Sequence, residues 1–496
     1  MKKLLALLMV LCCLAPSALA QEADCFNWYE VFVYSYQDSN GDGIGDLNGL
    51  RSRLDYITGM GYNALWLMPI MPSPSYHKYD VLDYMDVDPQ YGTLEDMRAL
   101  VQDCHARGIR IIIDLPVNHT ALRHPWFLEA AQSLQKRQED SPYIDYYCFS
   151  REPGSKSVQL NGTKWYYEEQ FSGGGMPDLN LDNPAVLEEI RGIAAFWLRD
   201  MDVDGFRLDA VTSYYAQDVA RNVAFLDTFK AMCEEIKPGS YLVGEAWVGL
   251  TALAGYAQSE VDSFFLFPAS QAEGFIVKSM LGRSPNAKTY AAGLESVLEA
   301  MPDTLLAPFL CNHDTGRSVG LIQGRQLPER AKFAQGALNM LPGNVFTYYG
   351  DEIGMVGAGD DPNKRLAMYW NDGDMTTQPP GVTKLEYAYP CVDDQLADPA
   401  SLLNYCKAVN HARLRSPLIA RGENSFVHVD ANVCVMKREK DGESCLIAMN
   451  FSPKAEQTVS LPEGLTVISD LETGSAAASL AGTELTLPPY AIVILE

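Results

Sequence analysis

Basic residues are scarce in this chain of 496 residues: 38 Lys and Arg stand against 64 Asp and Glu, a net charge of −26. That balance excludes nucleic acid and anionic membrane surfaces as expected partners, because both are bound through basic patches. A neutral ligand remains compatible with it. Ordered cysteine spacing is lacking too. The chain has 11 cysteines but no C-x-x-C pair, so neither a zinc site nor a disulfide scaffold is expected. Cys104 and Cys311 sit in apolar contexts and read as buried thiols, while a bridge such as Cys434 to Cys445 stays open. After the first twenty residues no apolar run reaches the roughly 18 to 20 residues of a membrane span, and no internal repeat or low-complexity tract is present.

What the chain does have, at its start, is an export signal over residues 1–20. Lys2 and Lys3 precede the apolar stretch 4–14, and Ala18-Leu19-Ala20 forms a small-residue cleavage site. Neither Cys12 nor Cys13 follows the small residue usual before a lipid anchor, so a soluble secreted protein is expected. With 47% hydrophobic and 21% charged residues, a sizeable core and two or three domains can form.

Between residues 28 and 350, short β-branched or aromatic runs alternate with longer amphipathic stretches, the pattern of parallel strands with helical crossovers. The runs are 30–36, 64–68, 110–115, 205–209, 241–244, 263–267, 307–311 and 345–349. Eight of them imply a closed α/β barrel of the (β/α)8 TIM type, with residues 21–118 and 183–422 as its two parts. Thr93 with Asp96 marks a helix start that Gly108 ends, and Asn183-Pro184 opens another helix. Residues 119–182 are too long and too aromatic for a plain connection and read as an inserted subdomain after the third strand. Beyond 423 the periodicity turns to twos, so 423–496 reads as a C-terminal antiparallel β-sandwich.

Four segments carry chemistry. In Asp204-Gly205-Phe206-Arg207-Leu208-Asp209-Ala210, alternation along a strand puts Arg207 and Asp209 on one face, a guanidinium beside a carboxylate that must act as an anion. In Val243-Gly244-Glu245-Ala246-Trp247 an acid follows the fifth strand with an indole two residues on, an apolar neighbour of the kind that raises a carboxyl pKa. Cys311-Asn312-His313-Asp314 and Asp114-Leu115-Pro116-Val117-Asn118-His119 end the seventh and third strands. Groups at the C-terminal ends of barrel strands share one mouth, where catalytic residues gather. His119 and His313 would face the acids there as neutral imidazoles.

These segments, in this order, resemble the α-amylase family of glycoside hydrolases, and the resemblance runs from about Tyr29 to the C-terminus. It implies that Asp209 is the nucleophile, Glu245 the acid/base and Asp314 a third acid that grips the distorted sugar. Arg207, His119 and His313 carry over as subsite residues, with Tyr79 and Asp80 as platform and contact for the sugar at the cleaved bond. Trp247 is a further candidate for stacking on a sugar. The expected partner is an α-glucan, cut with retained configuration by a monomer.

Calcium is the expected cofactor. Asp38-Ser39-Asn40-Gly41-Asp42-Gly43-Ile44-Gly45-Asp46 places oxygen ligands from Asp38, Asn40, Asp42 and Asp46 and the backbone carbonyl of Ile44 at calcium-loop spacing, although Gly49 stands where an EF-hand has Glu. In relatives the same loop binds calcium far from the chemistry, which implies a structural role. A second calcium at Asn118 is a weaker expectation.

Met176-Pro177-Asp178-Leu179-Asn180 resembles the form found between oligo-1,6-glucosidases and neopullulanase-like enzymes. Ala210 after the nucleophile favours α-1,4 cleavage, while Val211-Thr212-Ser213 lacks the basic residues many α-amylases carry there. The export signal favours endo-cleavage of a polymer. An exo-acting α-glucosidase or oligo-1,6-glucosidase and a maltodextrin transglycosylase are the alternatives. A non-catalytic, transporter-associated relative is a remote one, because all three acids are in place.

Overall fold

The computed structural model of the protein describes residues 25–496 apart from 172, 217, 282–285, 323, 325–326 and 475. The expected leader therefore lies outside the described residues. Seven parallel strands form one sheet: Asn27–Val31, Ala64–Leu67, Arg110–Leu115, Gly205–Leu208, Tyr241–Gly244, Ser263–Phe264 and Val345–Tyr348. The last returns beside the first, Phe346 lying opposite Trp28. Residues 307–309 fill the eighth position at two points only, Ala307 with Phe265 and Phe309 with Phe346. Pro308 explains the thin pairing, since proline has no N–H to give a ladder, although its carbonyl accepts the Phe346 N–H at 2.9 Å. The barrel closes there.

The first strand begins and ends earlier than its sequence run. It stops at Val31, and residues Val33–Ser35 form a turn of 3-10 helix. The later aromatics of that run, Tyr34 and Tyr36, are buried outside the ladder, in and after that turn. Inside the barrel Trp28 stacks between Tyr241 and Phe346, at 5.0 and 5.4 Å, and Trp66, Phe265 and Phe309 fill the rest. A filled interior leaves only the mouth for chemistry.

The helix Leu94–Ala106 starts at a reciprocal Thr93–Asp96 capping box. Pro184–Ala195 starts with Asn183 accepting the Ala185 N–H. Between the third strand and Pro184 the chain builds the helix Pro125–Gln135 and a three-stranded antiparallel sheet, ordered by Tyr147, Phe149 and Tyr167 around Phe127. Beyond Glu423 a five-stranded and a three-stranded antiparallel sheet close over Val435, Leu446, Leu485 and Val493. Phe451 and Tyr490 of that sandwich pack on Phe333 of the barrel helix Pro328–Asn339, at 4.9 and 5.2 Å.

The nine described cysteines are all free. Cys104 and Cys311 are buried thiols as expected, and no Cys434–Cys445 bridge forms: Cys434 pairs across to Met449 and Cys445 to Arg438. Among the described residues no helix is long and apolar enough to cross a membrane.

Candidate active site

Register brings the first charges together. Asp114 and Arg207 are direct partners on neighbouring parallel strands. Arg207 is fully buried; its Nη1 lies 2.9 Å from Asp114 Oδ1 and 2.6 Å from Asp209 Oδ1, and its Nη2 lies 3.0 Å from Glu245 Oε2. One guanidinium thus holds three carboxylates that end three successive strands. Immediately after Asp209, Ala210 takes a left-handed conformation (φ 42°, ψ 48°), which costs an alanine about 1–2 kcal/mol. The kink aims its N–H at Glu245 Oε2, 3.0 Å away. Such strain persists where the surrounding structure overdetermines it.

Burial separates the charge states of these groups. It pushes Glu245 up to about 7, with the charges of Asp209 and Asp314 adding to it and Arg207 opposing. Burial is therefore the main cause, whereas Trp247, half exposed, is a minor wall of the site. Asp114 is likewise pushed up to about 7 by burial, against the pull of Arg207. For Asp314 burial acts upward, but the charges of His313, Arg365 and Arg207 prevail and hold it well below the usual carboxylate range. About 31% of its side-chain surface stays open, so a substrate can reach it.

The two histidines differ, which the sequence did not suggest. Burial lowers His119 and keeps it neutral. His313 is raised to about 9, because the charges of Asp314 and Glu30 outweigh the burial that would lower it, which favours the imidazolium at neutral pH. For His313 the surroundings thus run against the expected neutral ring.

Asp209, Glu245, Asp314, Tyr79, His119 and Trp247 all line one cavity of about 480 Å³ at the barrel mouth, within the size range of small-ligand pockets. Tyr79 stacks on His313 at 5.5 Å and donates to Asp114 Oδ2 at 2.9 Å. His119 lies edge-on to Phe171 of the inserted segment, and Trp247 stacks on Phe267 at 4.9 Å. Asp80 is not among the lining residues: its Oδ1 accepts from the hydroxyls of Ser73 and Ser75. The neutral Thr212 and Ser213 do line the cavity.

Sequence reasoning missed several groups. Asp361 and Arg365 wall the cavity, and Arg365 Nη2 lies 2.9 Å from Asp314 Oδ1, a pairing across 51 residues that no local pattern announces. His77, Phe171 and Met176 also line it. Glu30, 2.6 Å from His313 Nδ1, had a legible signal, since it sits in the first strand run.

The loop 38–46 lies apart from this cavity. Asp38 accepts the N–H groups of Gly41 and Gly43, Asp42 that of Ile44, and Asp46 caps the helix Leu47–Ser52 through the Gly49 N–H. Among the described residues no three His, Cys, Asp or Glu side chains are grouped to hold a metal by themselves. A hard cation here would depend on Asn40 and the Ile44 carbonyl to complete an all-oxygen set.

A (β/α)8 barrel with carboxylates gathered on one buried guanidinium at its mouth is the architecture of a barrel enzyme with a carboxylate-based site. Residues 30–422 match the model of the alpha-amylase catalytic domain. The chain is 36% identical over 479 residues to Alpha-amylase 3 of Dictyoglomus thermophilum, covering 95% of this chain and 92% of that one. It is 28% identical to the oligo-1,6-glucosidase of Parageobacillus thermoglucosidasius, covering 86% and 90%. The solved structure of Eubacterium rectale Amy13B superposes with a TM-score of 0.91 at 43% identity, covering 96% of each chain. The protein belongs to the α-amylase family of glycoside hydrolases.

Proposed function

We propose that the protein is a secreted, retaining, endo-acting α-amylase that hydrolyses α-1,4-glucosidic bonds of starch-like glucans as a monomer. The observation that carries this reading is a carboxyl raised by burial, Glu245, beside a second carboxyl, Asp209, on one shared guanidinium. Burial pushes Glu245 up to about 7 although Arg207 touches it at 3.0 Å, so it can hold a proton near neutrality, and the same guanidinium lies 2.6 Å from Asp209. A carboxyl raised by burial beside a second carboxyl suits the division into acid and nucleophile.

In this reaction Glu245 donates its proton to the leaving glycosidic oxygen as Asp209 attacks the anomeric carbon, giving a glycosyl-enzyme. Water, losing its proton to Glu245, then releases the sugar and frees Asp209. Asp314, anionic and open to the cavity, accepts hydrogen bonds from sugar hydroxyls. Tyr79 and His119 line the same subsite, His313 lies buried behind Tyr79 and Asp314, and Trp247 offers an aromatic face on the acceptor side. Ala210 and the likeness to an enzyme named α-amylase favour α-1,4 bonds; the leader favours export.

Calcium in the loop 38–46 would draw on the oxygens of Asp38, Asp42, Asp46 and Asn40 and the Ile44 carbonyl, although among the described residues no three of these carboxylates are gathered by themselves. Bound there, it supplies charge neutralisation that pins the loop and takes no part in bond cleavage.

An exo-acting α-glucosidase is the second reading. It is favoured by Asp361 and Arg365, which wall the cavity, and by the likeness to an enzyme named oligo-1,6-glucosidase. The product profile on soluble starch separates the two. A rapid fall in iodine staining with mixed α-maltooligosaccharides is expected, whereas glucose or maltose alone with staining preserved assigns exo-action.

A further inference from the structure

The first barrel strand sends one carboxylate towards the mouth without reaching the cavity. Glu30 is 1% exposed, and its Oε1 lies 2.6 Å from His313 Nδ1. On the other side of the ring, His313 Nε2 lies 2.6 Å from the Tyr79 hydroxyl and 3.0 Å from Asp314 Oδ2. Stacking on Tyr79 and an edge contact with Trp66 at 5.8 Å fix the ring between them. We propose that Glu30 is a positioning residue of the hydrolytic reaction, acting through His313 to hold Asp314 and Tyr79 where they grip the sugar at the cleaved bond. This rests on the hydrolytic reading above.

With Glu30 and Asp114 both ionised, the proton inventory points to it. The Tyr79 hydroxyl hydrogen is donated to Asp114 Oδ2, so towards His313 that oxygen can only accept. Asp314, as a carboxylate, also only accepts. Nε2 must therefore carry a hydrogen. Nδ1 faces Glu30, another acceptor when ionised, so it must carry one too. A neutral imidazole has a single N–H and leaves two lone pairs facing each other on one side or the other. With Glu30 ionised only an imidazolium satisfies both, and Glu30 is the carboxylate that faces Nδ1 and balances its charge; burial raises Glu30's own pKa, and the charges of His313 and Arg207 oppose that rise. The other charged groups around the ring divide between signs. Asp314 and Asp114 favour the cation, while Arg207 and Arg365, whose Nε lies 3.3 Å from the His313 carbonyl, oppose it. Asp314 serves Arg365 through Oδ1 and the ring through Oδ2, and Glu30 is the second carboxylate, facing the ring from the Nδ1 side. The raised His313 pKa agrees with this arrangement.

A Glu30→Gln variant keeps the size and an acceptor oxygen while removing the charge, which separates positioning from mere packing. Ring 15N NMR of histidine-labelled protein, with the His313 signal assigned by its loss in His313→Gln, reads the proton directly. In the wild type the ring is expected to be doubly protonated at neutral pH. In Glu30→Gln it should lose its proton at least about one pH unit lower, because an opposite charge in contact is gone. kcat/KM on a 4-nitrophenyl α-maltooligoside should fall by at least about tenfold, carried by kcat with KM little changed, and Glu30→Asp should recover part of it. A neutral wild-type ring at neutral pH overturns the proposal, and this outcome needs no variant of Glu30 to fold. A Glu30→Gln enzyme with wild-type ring titration and wild-type kcat, differing only in Tm, overturns it as well. Glu245→Gln run in parallel tests the underlying reading: full activity there removes the hydrolytic assignment, whereas its loss beside an unchanged Glu30→Gln defeats the Glu30 proposal alone.

Discussion

Glu245 must carry a proton when the glycosidic oxygen departs, and burial lifts it to about 7 for that purpose. Activity should therefore fall on the alkaline side: kcat/KM is expected to decline about tenfold per pH unit above about 7, since this ratio reports the free enzyme's acid. A profile flat to about pH 9 would sink the assignment. The same shift has a consequence for stability. A carboxyl whose pKa is higher folded than unfolded binds its proton more tightly in the native state, so its burial destabilises the fold increasingly as pH rises from about 4 through about 7. Glu245→Gln removes that penalty. Its Tm relative to wild type should be higher at about pH 8 than at about pH 5, while kcat falls by about 10²–10⁴; calorimetry at both pH values checks the first part. Arg207→Met leaves Asp114, Asp209 and Glu245 facing one another without their shared cation. Breaking a buried pair from one side typically costs about 3–5 kcal/mol, so denaturant titration should register a loss of at least that size.

At the scale of elements, the site depends on how closely the fourth and fifth strands approach. Gly205 has φ +149°, and a Cβ there would stand 1.8 Å from the Tyr241 carbonyl oxygen. The strand that carries Arg207 could not then lie in register against Tyr241–Gly244. Gly205→Ala is expected to give no soluble, cooperatively folded protein, and a soluble variant with native Tm would show that the strands part without cost. Gly244 is constrained by Phe264, whose ring a Cβ would meet at 2.5 Å, so Glu245 is delivered by a strand end that tolerates no side chain. Asp209 and Glu245 are placed by backbone geometry before any charge acts.

Across the whole molecule, the loop 38–46 is tied to the segment that follows the last barrel strand. Both the N–H and the hydroxyl of Thr377 donate to the Gly43 carbonyl at 2.7 Å, and Asp374 is held by Arg53 and Gln37. That segment continues back to Arg365 in the cavity wall, where Ser35 donates to the Arg365 carbonyl at 2.7 Å. An ion in the loop would therefore brace the closure of the barrel as well as the loop itself. Calcium at about a hundred times its Kd adds about 2.7 kcal/mol, so Tm should rise with added calcium and fall after chelation, and Asp38→Ala should abolish the dependence. A Tm indifferent to both calcium and chelator removes the metal from this account.

The sequence by itself determined the barrel and its three acids, because both are written locally. Period-two runs and caps such as Thr93–Asp96 are short-range signals, and a carboxylate directly after a strand is carried to the mouth by the parallel ladder. Pro308 and the early end of the first strand were not legible, since they turn on which neighbour each residue meets. Only the tertiary structure decided the charges. His313 is drawn towards the cation by Asp314 and by Glu30, 283 residues away, and Asp314 towards the anion by His313 and then Arg365. Protonation follows from burial and from partners brought together by the closing of the barrel, and neither is a property of the local sequence.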